Sequence, residues 1–200
     1  LMTEVLEVAE EILKFRGKGS QGGARHISQL FGLLVMRLVE CLPEFDTTFG
    51  SFAEARNAIP SASATWDALE KFAARASACI QGPPSRSRHT DRLRSDAWMQ
   101  LGTICGAVSD PAALALALEI AANPRLTADG RENAVNFLPE FWGDDEPDES
   151  TKNLLTSLEN EPPSRAFLIT VLQAQIQLGL NDNLGAMVAA DAWDDADEEE

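Results

Sequence analysis

Thr90-Asp91-Arg92-Leu93-Arg94-Ser95-Asp96-Ala97-Trp98-Met99-Gln100-Leu101-Gly102 is the stretch that carries the reading of the fold. It opens on Thr90 and Asp91, whose side-chain oxygens can accept an orphan backbone N–H at the start of a helix. Three, four and seven positions after Arg94 come Ala97, Trp98 and Leu101, one face of an α-helix. The same offsets return twice: Arg131 leads to Ala134, Val135 and Leu138, and Arg165 to Leu168, Ile169 and Leu172. The three arginines are 37 and 34 residues apart. A helix recurring at that period predicts an all-α chain, a right-handed solenoid of helical hairpins with about eight to ten helices.

Composition agrees with that class. Of 200 residues, 44 % are hydrophobic, enough for a core, and there is no tyrosine; alanine and leucine dominate, which favours helix over strand. The formal net charge of −16 is unevenly placed. Residues 1–108 hold 12 basic and 12 acidic side chains, whereas residues 109–200 hold 4 and 20, so the whole imbalance lies in the second half. Such a chain repels phosphate backbones at long range and attracts basic partners, which argues against nucleic-acid binding. Cys41, Cys79 and Cys105 sit singly in apolar helical patterns, without CxxC spacing, and read as reduced core thiols of a cytoplasmic protein. The acidic N-terminal stretch has no signal-peptide pattern, and the most apolar run, 166–180, is interrupted by Gln173, Gln175 and Gln177, so no membrane association is expected.

Along the chain, residues 3–16 read as an amphipathic helix with Val5, Val8, Ala9, Ile12 and Phe15 on one face. Gly17-Lys18-Gly19-Ser20 breaks it; the order required of a phosphate-binding loop is absent. Residues 24–42 predict a long helix burying Ile27, Leu30, Phe31, Leu34, Leu38 and Leu42. A short helix at 51–59 stops before Pro60, and another at 64–80 turns Trp66, Leu69, Phe72, Ala73, Ala76 and Ile80 inward. Residues 81–89 form a basic Pro/Ser-rich loop. Helices are expected at 91–108, from Pro111 to about 122, from about 128 to 142, at 149–160, at 163–179 and at about 182–192. Pro139 is expected to kink or end the helix that contains it. Residues 191–200, almost all acidic, are expected to be disordered. The domain reading is N-terminal helices over 1–60, repeats over 61–190 and an acidic tail over 191–200, forming one globular domain.

Residues 64–180 resemble HEAT- or armadillo-type helical repeats. The likeness is carried by Leu93-Arg94-x-x-Ala97-x-x-x-Leu101-Gly102, Arg131-x-x-Ala134-x-x-x-Leu138 and Arg165-x-x-Leu168-x-x-x-Leu172, each preceded within four residues by Asp91, Asp129 or Glu161. The resemblance implies that Arg94, Arg131 and Arg165 are structural, forming a ladder with acids near the inter-helix turns. Residues 1–60 stand outside this register, and Pro139 and Gln173 stand where Gly102 does.

No catalytic constellation is present. His26 and His89 have no ligand-spaced companions, and HExxH, GxSxG and GxGxxG are absent. Asp144, Glu146 and Asp148 alternate as in a calcium loop, but Glu149 and Leu155 stand at the sixth and twelfth positions, where glycine and glutamate belong. No metal and no cofactor are therefore expected. The expected function is a non-catalytic scaffold, adaptor or chaperone-like protein that binds a basic protein or peptide. Asp144, Asp145, Glu146, Asp148 and Glu149, with Asp194 and Asp195 in the tail, are the candidate contacts. Neutralising the five at 144–149 is expected to leave the fold intact. The alternative is an acidic inhibitor, an immunity protein or nucleic-acid mimic that blocks a basic toxin or nuclease site. A second alternative, by analogy of fold alone, is a HEAT-like DNA-repair enzyme using Trp98 or Trp142.

Overall fold

A computed structural model describes residues 21–42, 48–82 and 88–181, and within these the chain is all-helical. The elements are α1 (Gln21–Glu40), α2 (Phe52–Ala58), a single 3-10 turn (Pro60–Ala62), α3 (Ser63–Gln81), α4 (Arg88–Cys105), α5 (Pro111–Ala122), α6 (Ala128–Trp142), α7 (Glu149–Asn160) and α8 (Arg165–Gln177). Among the described residues the sole β-type pairing is one parallel bridge between Phe49 and Val108. Phe49 N–H donates to Ala107 O at 3.0 Å and Ser109 N–H to Phe49 O at 2.8 Å, tying the segment before α2 to the turn after α4. The expected helices at 3–16 and 182–192, most of the loop at 81–89, and the tail with Asp194 and Asp195 lie outside the described residues.

Most helix ends follow from capping chemistry. The side chains of Ser51, Thr127, Asp148 and Ser164 accept the N–H of Glu54, Gly130, Thr151 and Phe167 and start α2, α6, α7 and α8. Asp110 accepts from Ala112 N–H ahead of Pro111, which opens α5. At the far end of α8, Leu180 N–H reaches Gln175 O at 2.8 Å and Gly179 N–H reaches Ile176 O at 3.0 Å. This pairing needs a residue with φ near +66° between the two, which is why Gly179 stands there. Of the two outcomes expected at Pro139, a kink or an end, the end does not occur: the helix runs to Trp142, the boundary expected for it, and Gly143 N–H bonds back to Pro139 O. A proline lacks its own donor and crowds the preceding turn, but its carbonyl still accepts from the residue four positions on.

The described residues divide into two compact units, with the boundary at 113/114. In the first, α4 packs on α1 and α3, and α2 on α3. Its core holds Leu38, Trp66, Leu69, Phe72, Leu101 and Ile104, with Trp66 edge-on to Phe49 at 5.7 Å. The inward face of α1 is Val35, Leu38 and Val39, continued by Leu42 just beyond it, whereas Leu30, expected in the core, is exposed. Helix α1 is apolar on several sides, and the side that is buried is the one α3 and α4 cover. In the second unit α8 packs on α6 and α7 around Phe137, Leu138, Leu155, Phe167 and Val171.

The recurring face holds for Ala97, Trp98 and Leu101 and for Ala134, Val135 and Leu138, all buried. In α8 it shifts: Leu172 is buried, but Leu168 and Ile169 are only partly so, and Phe167, Val171 and Ala174 take the inward side. Two helices cover α8, and they select a different strip from the one the spacing marks.

Candidate partner-binding surfaces

The acidic corner of the second unit is built from residues 142–152. Asp145 N–H bonds to Trp142 O at 2.8 Å, closing the turn after α6. The Trp142 indole N–H donates to Thr151 Oγ1 at 3.3 Å, fastening the end of α6 to the first turn of α7. Asp148 accepts from Thr151 N–H at 2.8 Å and from the Ser150 hydroxyl at 2.7 Å. Partial burial pushes its carboxyl upward, but those bonds and the charge of Lys152 outweigh this and hold it below the usual aspartate range. Lys152 Nζ reaches Glu146 at 2.7 Å and Glu149 at 3.4 Å. The lysine's hydrogen bond and charge lower Glu146. Both glutamates remain more than four-fifths exposed, so solvent screens these pairs and they contribute little to stability.

Of the candidate contacts, Asp144, Asp145, Glu146 and Glu149 line this corner, and all four are exposed. Asp148 differs from them, because its carboxylate caps α7. Neutralisation as Asp148→Asn keeps a capping acceptor at this position, whereas Asp148→Ala removes it. Asp148→Ala should lower stability by about 1 kcal/mol at neutral pH. A carboxyl whose pKa is depressed on folding stabilises above its unfolded pKa, and the contribution is lost as pH falls through the folded pKa. Parent and variant should accordingly converge in urea midpoint in acid below the carboxylate range; a constant gap between them would show that the cap is not the cause.

Two of the repeat arginines, Arg94 and Arg131, serve helix ends. Arg94 donates from Nη2 to the carbonyl of Gly82, the C-cap of α3. Arg131, only 7 % exposed, donates from Nε to Ala121 O at the end of α5 at 2.9 Å, and its guanidinium lies 4.8 Å from the Phe167 ring centroid. A cation at a helix C-terminus meets orphan carbonyls and the negative end of the dipole. At Arg131 the expected acid–arginine ladder thus gives way to a carbonyl and an aromatic face. Arg165 is partly buried at the first position of α8.

A second surface, which spacing and charge do not announce, lies in the first unit. Gly32, Leu33 and Met36 of α1 and Asp96, Met99, Gln100 and Thr103 of α4 line an open groove of about 360 Å³. Leu33, Met36 and Met99 are 57 %, 46 % and 57 % exposed. In the structure Leu33 and Met36 fall outside the inward strip of α1, and Met99 outside that of α4.

Trp98, named for a repair enzyme, is buried in the core of the first unit. Burial raises the Cys79 thiol above its ordinary range despite the opposing charges of Arg94 and Arg75, so it is no activated nucleophile. Among the described residues no cluster of His, Cys, Asp and Glu has metal-binding geometry, and no helix is long and apolar enough to cross a membrane. The chain matches no protein-family model, no curated protein and no solved structure.

Proposed function

We propose that this protein is a non-catalytic binding scaffold for a basic protein or peptide. The observation that carries the reading is the braced corner at 142–152, which presents the carboxylates of Asp144, Asp145, Glu146 and Glu149 within the half of the sequence that carries the chain's charge excess. Carboxylates already held in place lose little freedom when a basic surface meets them, and exposed charge chiefly sets encounter rate and partner choice. The proposal includes a HEAT/armadillo-like repeat plan. It is supported in the second unit by the contact of α6 with α8, the second helices of the expected successive hairpins. The rigidity of the corner also favours a second reading, an inhibitor whose carboxylates occupy the basic cleft of a toxin or nuclease. Deleting 191–200 tests this second reading: a loss of affinity would point to an escort that uses the tail and would exclude an inhibitor that needs only the folded face.

The test is association kinetics with a purified basic partner, recovered by affinity capture. The variant D144N/D145N/E146Q/E149Q, with the Asp148 cap kept, should associate about fivefold more slowly at low salt, and the gap should close near 1 M, where the Debye length is about 3 Å. Rates that are flat with salt, and equal for variant and parent, would overturn the proposal.

A further inference from the structure

We infer that the groove between α1 and α4 binds a small neutral molecule with an apolar body and one amide-like edge, a donor and an acceptor side by side. Gln100 carries the argument. It lines the groove, and only 5 % of its surface is exposed. Buried polar side chains are nearly always hydrogen-bonded, and an exception calls for an explanation. The carboxamide has two N–H donors and an acceptor oxygen. Among the described residues none of these meets a partner. Its amide atoms are not sealed in the core, because the residue opens on the groove. A polar group already stripped of most of its water, and left without bonds, gains them when a ligand supplies the missing donor and acceptor.

The rest of the lining sets the body of the ligand. Leu33, Met36 and Met99 stand 57 %, 46 % and 57 % exposed around the buried amide. Gly32 leaves room in the α1 wall: a Cβ there would meet only the Met99 methyl, at 4.0 Å. A volume of about 360 Å³ falls within the range of small-molecule pockets, which are mainly apolar with a few placed polar groups. The Thr103 hydroxyl is turned back to Met99 O at 3.0 Å, and Asp96 already has a partner. The carboxamide is therefore the polar contact on offer, and the ligand needs no charge. A lactam or a cis amide meets a carboxamide edge to edge through two hydrogen bonds. The two unbranched methionines adapt to the body's shape and make favourable contact with an aromatic ring. The inference concerns the first unit and does not rest on the basic-partner reading of the second.

The chain carries four methionines, and Met36 and Met99 line the groove, so methyl-13C-methionine labelling reports on it directly. Three probes of one bicyclic size are titrated into the full chain: carbostyril, a lactam; its N-methyl derivative, which keeps the carbonyl without the N–H; and naphthalene, which has neither. Carbostyril should shift the Met36 and Met99 methyls saturably and bind at least about tenfold more tightly than the other two. Gln100→Met keeps the unbranched shape without the amide. It should raise the urea midpoint, because it removes an unpartnered buried amide, and it should let naphthalene bind at least as tightly as carbostyril. Leu33→Ala, at an exposed position, should weaken all three probes alike, by about fivefold. A lowered urea midpoint in Gln100→Met would show that the carboxamide is satisfied within the protein and would overturn the inference. Equal binding of the three probes to the parent would do the same, since the amide would then take no part. So would carbostyril leaving Met36 and Met99 unmoved up to its solubility limit. Shifts of these methyls that grow with protein concentration in the absence of any probe would assign the groove to a second copy of the chain, and the inference would fail on that outcome too.

Discussion

Phe167→Ala should destabilise the second unit by about 4 kcal/mol. The ring is fully buried between α8 and its neighbours and has the Arg131 guanidinium over its face at 4.8 Å. Truncation loses the transfer free energy of the ring, leaves a cavity that helices on both sides hold open, and strips a buried cation of its aromatic partner. The backbone N–H of Phe167 keeps its bond to Ser164 Oγ, so the helix start is untouched and the effect belongs to the side chain. Urea unfolding and amide exchange in α6 and α8 measure it. A loss under about 1.5 kcal/mol, the bottom of the range for burying such a side chain, would mean that the ring is peripheral to the core.

Arg131→Ala should cost about 3 kcal/mol. A hydrogen bond from a charged donor contributes about 1.5–3 kcal/mol, and its removal here leaves the Ala121 carbonyl at the end of α5 without its side-chain donor. The buried aliphatic stem adds packing that alanine cannot replace. Arg131→Met restores the stem and should recover part of the loss, which separates packing from charge. Arg131→Lys should not recover the full stability, because an ammonium on a straight stem does not reproduce a planar group that donates from Nε and stacks on a ring. In a double-mutant cycle with Phe167→Ala the two sites should couple by about 1 kcal/mol. Strict additivity would show that the stacked geometry contributes nothing.

These two side chains mark the line between what can be read from the sequence and what cannot. The spacing of Arg131 to Arg94 and Arg165 singles it out and points to a structural role. Its acceptors do not show in the sequence, because a backbone carbonyl at a helix end has no residue type to announce it. Phe167 stays hidden as well, since the recurring offsets point to Leu168 and Ile169. Asp148 can be read locally: an acid directly before the helix expected at 149–160 is a cap signal, obscured by the neighbouring carboxylates. The groove is harder to see. Leu30, Leu33 and Met36 are apolar like Val35 and Leu38, and periodicity assigns a helix without saying which of several apolar strips will be covered.

Sequence alone settles that the chain is helical, where most described helices begin and end, and that its charge excess is confined to the second half. Those properties depend on residues a few positions apart: a cap and the N–H it accepts, a proline, apolar side chains three and four positions apart, a run of carboxylates. The tertiary structure decides the division into units at 113/114, the strip of each helix that faces inward, the carbonyl and ring that hold Arg131, and the apolar groove left open beside Asp96. Each of these is set by a helix distant in sequence, and burial is a property of what covers a side chain as much as of the side chain itself.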